Sequence, residues 1–210
     1  MLKRNNIACV LLHKTCATIE LVSNKKGDQM IRCEWVNSAL EEPYHDQEWG
    51  KPKYDDEILF EMLILEGMQA GLSWTTILNK RENYRQALDG FSVEKISRYD
   101  QTKIDALLQN AGLIRNKLKM KAIVKNATAF IKVQAEFGSF SSYLWQYVAG
   151  EPIDHHYQKM SDVPAVDSIS EKMSKDMKKR GFSFVGPTIC YAYMQAVGLV
   201  NDHVEYCEFR

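Results

Sequence analysis

The run Ile58-Leu59-Phe60-Glu61-Met62-Leu63-Ile64-Leu65 ends on a single carboxylate, Glu66. Asp55, Asp56 and Glu57 precede it, where acids suit the positive end of a helix dipole. The sequence predicts a helix from about 55 to 66 that is buried on most faces, because its apolar residues do not keep to one stripe. Two readings of Glu66 stay open. It is either a buried acid, costly unless hydrogen-bonded and so a candidate for function, or a helix-terminal side chain reaching water. Glu61 is expected to point outward.

Helical periods continue along the chain. Asp100 reads as the N-cap of a helix carrying Ile104, Leu107, Leu108 and Ala111, closed by Gly112. Further helices are predicted over about 114–137, from a Ser139 or Ser141 cap to Val148, over 168–180 and over 187–199, with a loop from Glu151 to Pro164. No repeat, low-complexity tract or alternating strand pattern occurs beyond residue 30, so the fold class is all-α. Residues 1–29 differ in composition and are expected to form an appendage or a short β element, with 30–210 as the core domain.

Composition narrows the class. With 210 residues and 45% hydrophobic content, one domain or two small lobes can bury a core. No apolar run approaches the ~18–20 residues needed to span a bilayer. The segment Ile7 to Leu12 follows Lys3-Arg4 as in a signal peptide, yet His13 and Lys14 end it too early. A cytoplasmic protein is expected. The five cysteines are odd in number and scattered, which favours reduced thiols over a disulfide framework. The formal net charge is zero but polarised: residues 112–132 carry six basic side chains and no acid, whereas 41–66 carry nine acids against Lys51 and Lys53. The basic stretch is a solvated helix face or a set of phosphate contacts.

Three constellations carry chemistry. His203 and Cys207 are four apart, so on a helix they share one face and supply two corners of a tetrahedral zinc site. Cys33 and His45 can supply the other two; the alternative is a surface histidine and a half-buried cysteine. Trp35, Tyr44, Trp49 and Trp74 flank the Glu66 helix, either as core or as a slot for a planar ligand such as a nucleobase. Finally, Gly181-Phe182-Ser183-Phe184-Val185-Gly186-Pro187-Thr188 separates two helices. A tight turn there presents backbone N–H groups that can hold a phosphate without net charge on the protein.

The blocks Tyr44-His45-Asp46-Gln47-Glu48-Trp49-Gly50, Leu65 to Trp74 and Gly181 to Cys207 together resemble the 3-methyladenine DNA glycosylase I family of the helix-hairpin-helix superfamily. The resemblance covers about residues 31–207. It implies a helix-hairpin-helix glycosylase fold in which one structural zinc joins the two ends of the core through Cys33, His45, His203 and Cys207. It implies Glu66 as the catalytic-site acid, Tyr44 and Trp74 as base-pocket residues, and Trp35 and Trp49 lining the neighbourhood. Gly71 and Leu72 fall on the family's duplex-probing loop, and Gly181, Phe182 and Gly186 on its phosphate-gripping hairpin. Thr188 stands where bifunctional relatives carry a nucleophilic lysine, and Asn201 where they carry an aspartate. The implied activity is monofunctional excision of 3-methyladenine from double-stranded DNA by a monomer, leaving an abasic site. Three features depart from the family pattern: a shorter Cys33–His45 interval, Leu40-Glu41 in place of an aromatic, and residues 1–29. Two rivals remain: a zinc-stabilised DNA-binding module without catalysis, and a relative with another preferred alkylated purine.

Overall fold

Asp55 opens the central helix as its N-cap, its side chain accepting the N–H groups of Glu57 and Ile58. This helix is α2 (Asp56–Gln69) in a computed structural model that describes residues 30–210. The appendage expected at 1–29 lies outside the described residues. Leu59, Phe60 and every residue from Met62 to Met68 are buried, so α2 forms the axis around which the other helices pack. It runs three residues past Glu66, which therefore sits inside the helix. Glu61 does not point outward; it is mostly buried and accepts from Arg81 at 2.6 Å and Arg85 at 2.8 Å.

The order along the chain is α1 (Glu41–Gln47), α2, α3 (Trp74–Leu78), α4 (Arg81–Ala87), α5 (Val93–Ile96), α6 (Gln101–Gln109), α7 (Lys117–Phe137), α8 (Phe140–Trp145), α9 (Ser168–Lys179) and α10 (Pro187–Ala196). Local capping explains many boundaries. Asp100 accepts from Lys103 N–H, Ser139 from Ser142 N–H, and Asp167 with Ser170 forms a reciprocal capping box at α9. Asn110, rather than Gly112, ends α6. The described chain is mostly helical but not wholly so. Ile153–Asp154 (β1), inside the stretch expected to be a loop, pairs in parallel with Val200–Asn201 (β2), two residues each, beyond α10, which ends at Ala196 rather than 199.

α10 packs antiparallel along α2. Tyr193 donates to the Leu59 carbonyl at 2.9 Å near one end, while Phe184 abuts Gly67 near the other. α9 and α10 are joined by a tight connection in which Gly181 adopts φ +101°, a conformation side chains disfavour. Asn126 on α7 brackets that connection, donating to the Ser183 carbonyl at 3.0 Å and accepting its N–H at 2.8 Å. Behind α10, Gly50 N–H donates to the Gln195 carbonyl and Lys53 N–H to the Val197 carbonyl, pinning the segment after α1. The first and last described segments also meet, Glu208 N–H donating to the Ile31 carbonyl at 3.0 Å.

Candidate functional site

Cys33, His45, His203 and Cys207 converge in the interior, all four buried and with one ligand atom of each within 4.8 Å of the others. Their convergence does not use the expected helix: residues 202–207 form an irregular turn closed by Cys207 N–H on the Val204 carbonyl. Nitrogen–sulfur separations are 3.6 Å for His203–Cys33, 3.3 Å for His203–Cys207 and 3.5 Å for His45–Cys207. A tetrahedral ion with zinc's usual bond lengths sets such edges at about 3.6 Å. The remaining ring nitrogens are oriented from outside, His45 Nδ1 against Asp46 Oδ1 at 2.7 Å and His203 Nε2 against the Trp49 carbonyl at 3.2 Å. Arg32 in turn holds Asp46 through three contacts of 2.8–3.1 Å. Burial pulls His203 down to about 4, keeping the neutral, ligating form of the ring. Burial pushes the Cys33 thiol up to about 12, so its thiolate requires a cation beside it. The donor set fits a closed tetrahedral metal site, and the shorter Cys33–His45 interval does not prevent the ligands from meeting.

Beside this cluster lies a cavity of about 390 Å³ lined by Tyr44, Trp49, Glu66, Trp74, Tyr191 and Gln195, with Trp35, Gln69 and Thr188 also on its walls. Trp35 meets Trp49 edge-on at 5.2 Å between ring centres, and Tyr44 tilts over Trp74 at 4.9 Å. The aromatic residues are thus both core and cavity wall. Glu66 is 3% exposed, and burial alone raises its carboxyl to about 8. Glu66 Oε2, Trp35 Nε1 and Trp74 Nε1 have no hydrogen-bond partner among the described residues. Each such buried orphan is costly, and all three belong to residues that line the cavity. Of the pair standing in place of the aromatic before Tyr44, Leu40 is exposed. Glu41 is buried there, held by Thr75 Oγ1 and by Asn37 N–H at 3.0 Å.

Gly71 and Leu72 are exposed just past the end of α2, Leu72 at 40%. At the α9–α10 connection, the Phe182 side chain is 3% exposed and meets Phe140 in the core, and its N–H donates to the Met177 carbonyl. Phe182 anchors the turn from within. Gly186 is the N-cap of α10, and Thr188 sits in its first turn at the cavity edge. In the basic stretch, Arg115, Lys117, Lys121, Lys125 and Lys132 are exposed. Lys119 is not. It is buried and donates to the carbonyls of Met68 at 2.8 Å and Ala70 at 2.7 Å, closing the C-terminus of α2 below Leu72. Lys119, Asn126 and the Tyr191–Gln195 wall escape sequence reasoning, since their partners are backbone carbonyls or distant side chains. No described helix is long and apolar enough to cross a membrane.

Residues 35–210 match the family model for methyladenine glycosylase. A DNA-3-methyladenine glycosylase of Haemophilus influenzae is 47% identical over 177 residues, 84% of this chain and 96% of that protein. A crystal structure of a 3-methyladenine DNA glycosylase I superposes with a TM-score of 0.83 at 45% identity, covering 85% of this chain and 98% of the other. The Staphylococcus aureus 3-methyladenine DNA glycosylase I, solved to define its recognition of 3-methyladenine, superposes with a TM-score of 0.81 at 38% identity, covering 83% and 93%. Family model, curated relative and solved structures agree over nearly all of the described residues, and the chain belongs to the methyladenine glycosylase family.

Proposed function

We propose that residues 30–210 form a monofunctional DNA glycosylase that flips 3-methyladenine out of duplex DNA and removes it by hydrolysis, leaving an abasic site. The observation that carries this reading is the buried Glu66 carboxyl in an aromatic cavity with unpaired polar atoms on its walls. Methylation at the third ring nitrogen gives adenine a delocalised positive charge. The glycosidic bond is then already weak, because the base departs neutral. Little general-acid help is needed, and Glu66 accepts hydrogen bonds from the exocyclic amine edge once the cation draws its proton off. Tyr44 and Trp74 form the slot for the base, with Trp35 and Trp49 behind it.

Leu72, carried on Gly71, wedges into the stack vacated by the flipped nucleotide. The α9–α10 connection acts as a helix-hairpin-helix element, with backbone N–H groups near Gly181 and Gly186 on a phosphate. Thr188 supports the monofunctional assignment: no amine stands there to form a Schiff base, so water attacks and the strand stays intact. Cys33, His45, His203 and Cys207 hold one structural zinc, which supplies a crosslink between the two ends of the core. The protein works as a monomer in the cytoplasm.

Release of free base from methylated duplex DNA, compared between the wild type and Glu66→Ala, tests the proposal. The wild type is expected to release 3-methyladenine and the variant to lose at least about tenfold in kcat/KM. No release from any alkylated DNA would leave a binding module. Release of a different base would establish another specificity.

A further inference from the structure

Asp202 is fully buried behind the cavity wall, and its carboxylate is surrounded by donors. His155 Nδ1 lies 2.6 Å from Oδ1, while Tyr191 Oη and Gln195 Nε2 donate to Oδ2 at 2.8 and 2.7 Å. Tyr191 and Gln195 both line the cavity that holds Glu66. A carboxylate only accepts, so the Gln195 amide donates through Nε2 to Asp202, which leaves Oε1 as its acceptor for another partner.

α2 and α10 are antiparallel, with Tyr193 level with Leu59 and Phe184 level with Gly67. Side chains on a helix lean toward its N-terminus. Glu66 on α2 and Gln195 on α10 line the same cavity and lean toward each other's level along it. An exocyclic amine carries two hydrogens and needs two acceptors.

We propose that Gln195 is a specificity-determining residue for the base, its amide oxygen accepting the second hydrogen of the exocyclic amine, and that Asp202 is the positioning residue fixing that orientation. The proposal deepens the glycosylase reading and rests on it. A purine with a carbonyl at the same ring position presents an acceptor to an acceptor and is rejected. Without Asp202 the amide can turn over and offer its N–H₂ group, which removes the discrimination.

The test is release of 3-methyladenine and 3-methylguanine from the same methylated duplex by the zinc-loaded wild type, Gln195→Met, Asp202→Ala and the double variant. Gln195→Met keeps the bulk and removes the acceptor. It is expected to lower kcat/KM for 3-methyladenine about tenfold and to leave 3-methylguanine release undiminished or raised, compressing the selectivity ratio. Asp202→Ala is expected to compress the ratio similarly and to add nothing in the Gln195→Met background. A merely structural role would lower both activities together and leave the ratio unchanged. The proposal is overturned if Gln195→Met retains the wild-type ratio, or if Asp202→Ala compresses it further in the double variant. Should Asp202→Ala melt early or lose metal, Gln195→Met decides alone. Failure of the wild type to release either base sinks the glycosylase reading instead.

Discussion

Glu66 places an ionisable group where water does not reach, and the consequence can be read from pH. Its carboxyl titrates near 4.5 in an unfolded chain and near 8 in the folded one, owing to desolvation. Between those values the native state holds a proton that the unfolded state has lost. Stability from this group is therefore intact below about 4.5 and falls as pH rises toward 8. At pH 7 the deficit amounts to roughly 3 kcal/mol. Glu66→Gln is expected to be more stable than the wild type by up to that amount at pH 7, with the difference vanishing near pH 4.5. Urea unfolding of both proteins at the two pH values measures it. A wild-type advantage at neutral pH would mean the acid is already satisfied in the free protein.

Between helices, closures at their ends hold the cavity in shape. Lys119 ends α2 by binding two of its last carbonyls, directly beneath Gly71 and Leu72. Lys119→Met removes both hydrogen bonds and is expected to cost about 2 kcal/mol and to speed amide exchange at Leu72, read by thermal melting and hydrogen exchange. The turn after α10 is as demanding. Gly198 has φ +72°, and a Cβ there would lie 2.2 Å from the Lys51 carbonyl carbon. Gly198→Ala is expected to cost more than about 4 kcal/mol in denaturant unfolding, because both surfaces are backbone and cannot yield.

What sequence reveals at this scale divides by range. Asp100 was legible as a cap because a cap bonds within three residues of itself, whereas Asp55 was legible only as an acid at a helix start and Ser139 only as one of two candidates. The metal cluster was legible as residue types only. Its members run from Cys33 to Cys207, and the His203–Cys207 spacing suggested a helix where a turn exists. The β1–β2 pair was invisible, since two residues per strand leave no alternation to detect. The inward ring of Phe182 was equally invisible, since its partner Phe140 lies 42 residues away in sequence.

For the whole molecule, the Cys33–Cys207 cluster stands in for a longer interface between the ends of the core. Removing one thiolate should be felt far from it. The wild type is expected to bind about one zinc per chain, and Cys207→Ser to bind far less and to melt at lower temperature. Metal analysis and calorimetry test this together; full metal content with unchanged melting would refute the site. The loss should reach the cavity, because Trp49 lends its carbonyl to His203 and its ring to the slot. The hydrogen bond between Glu208 and Ile31 has a separate implication. Splicing the chain across that seam and cutting it at the exposed turn of Ala149 and Gly150 would give a circular permutant with the same interior, read in a new order.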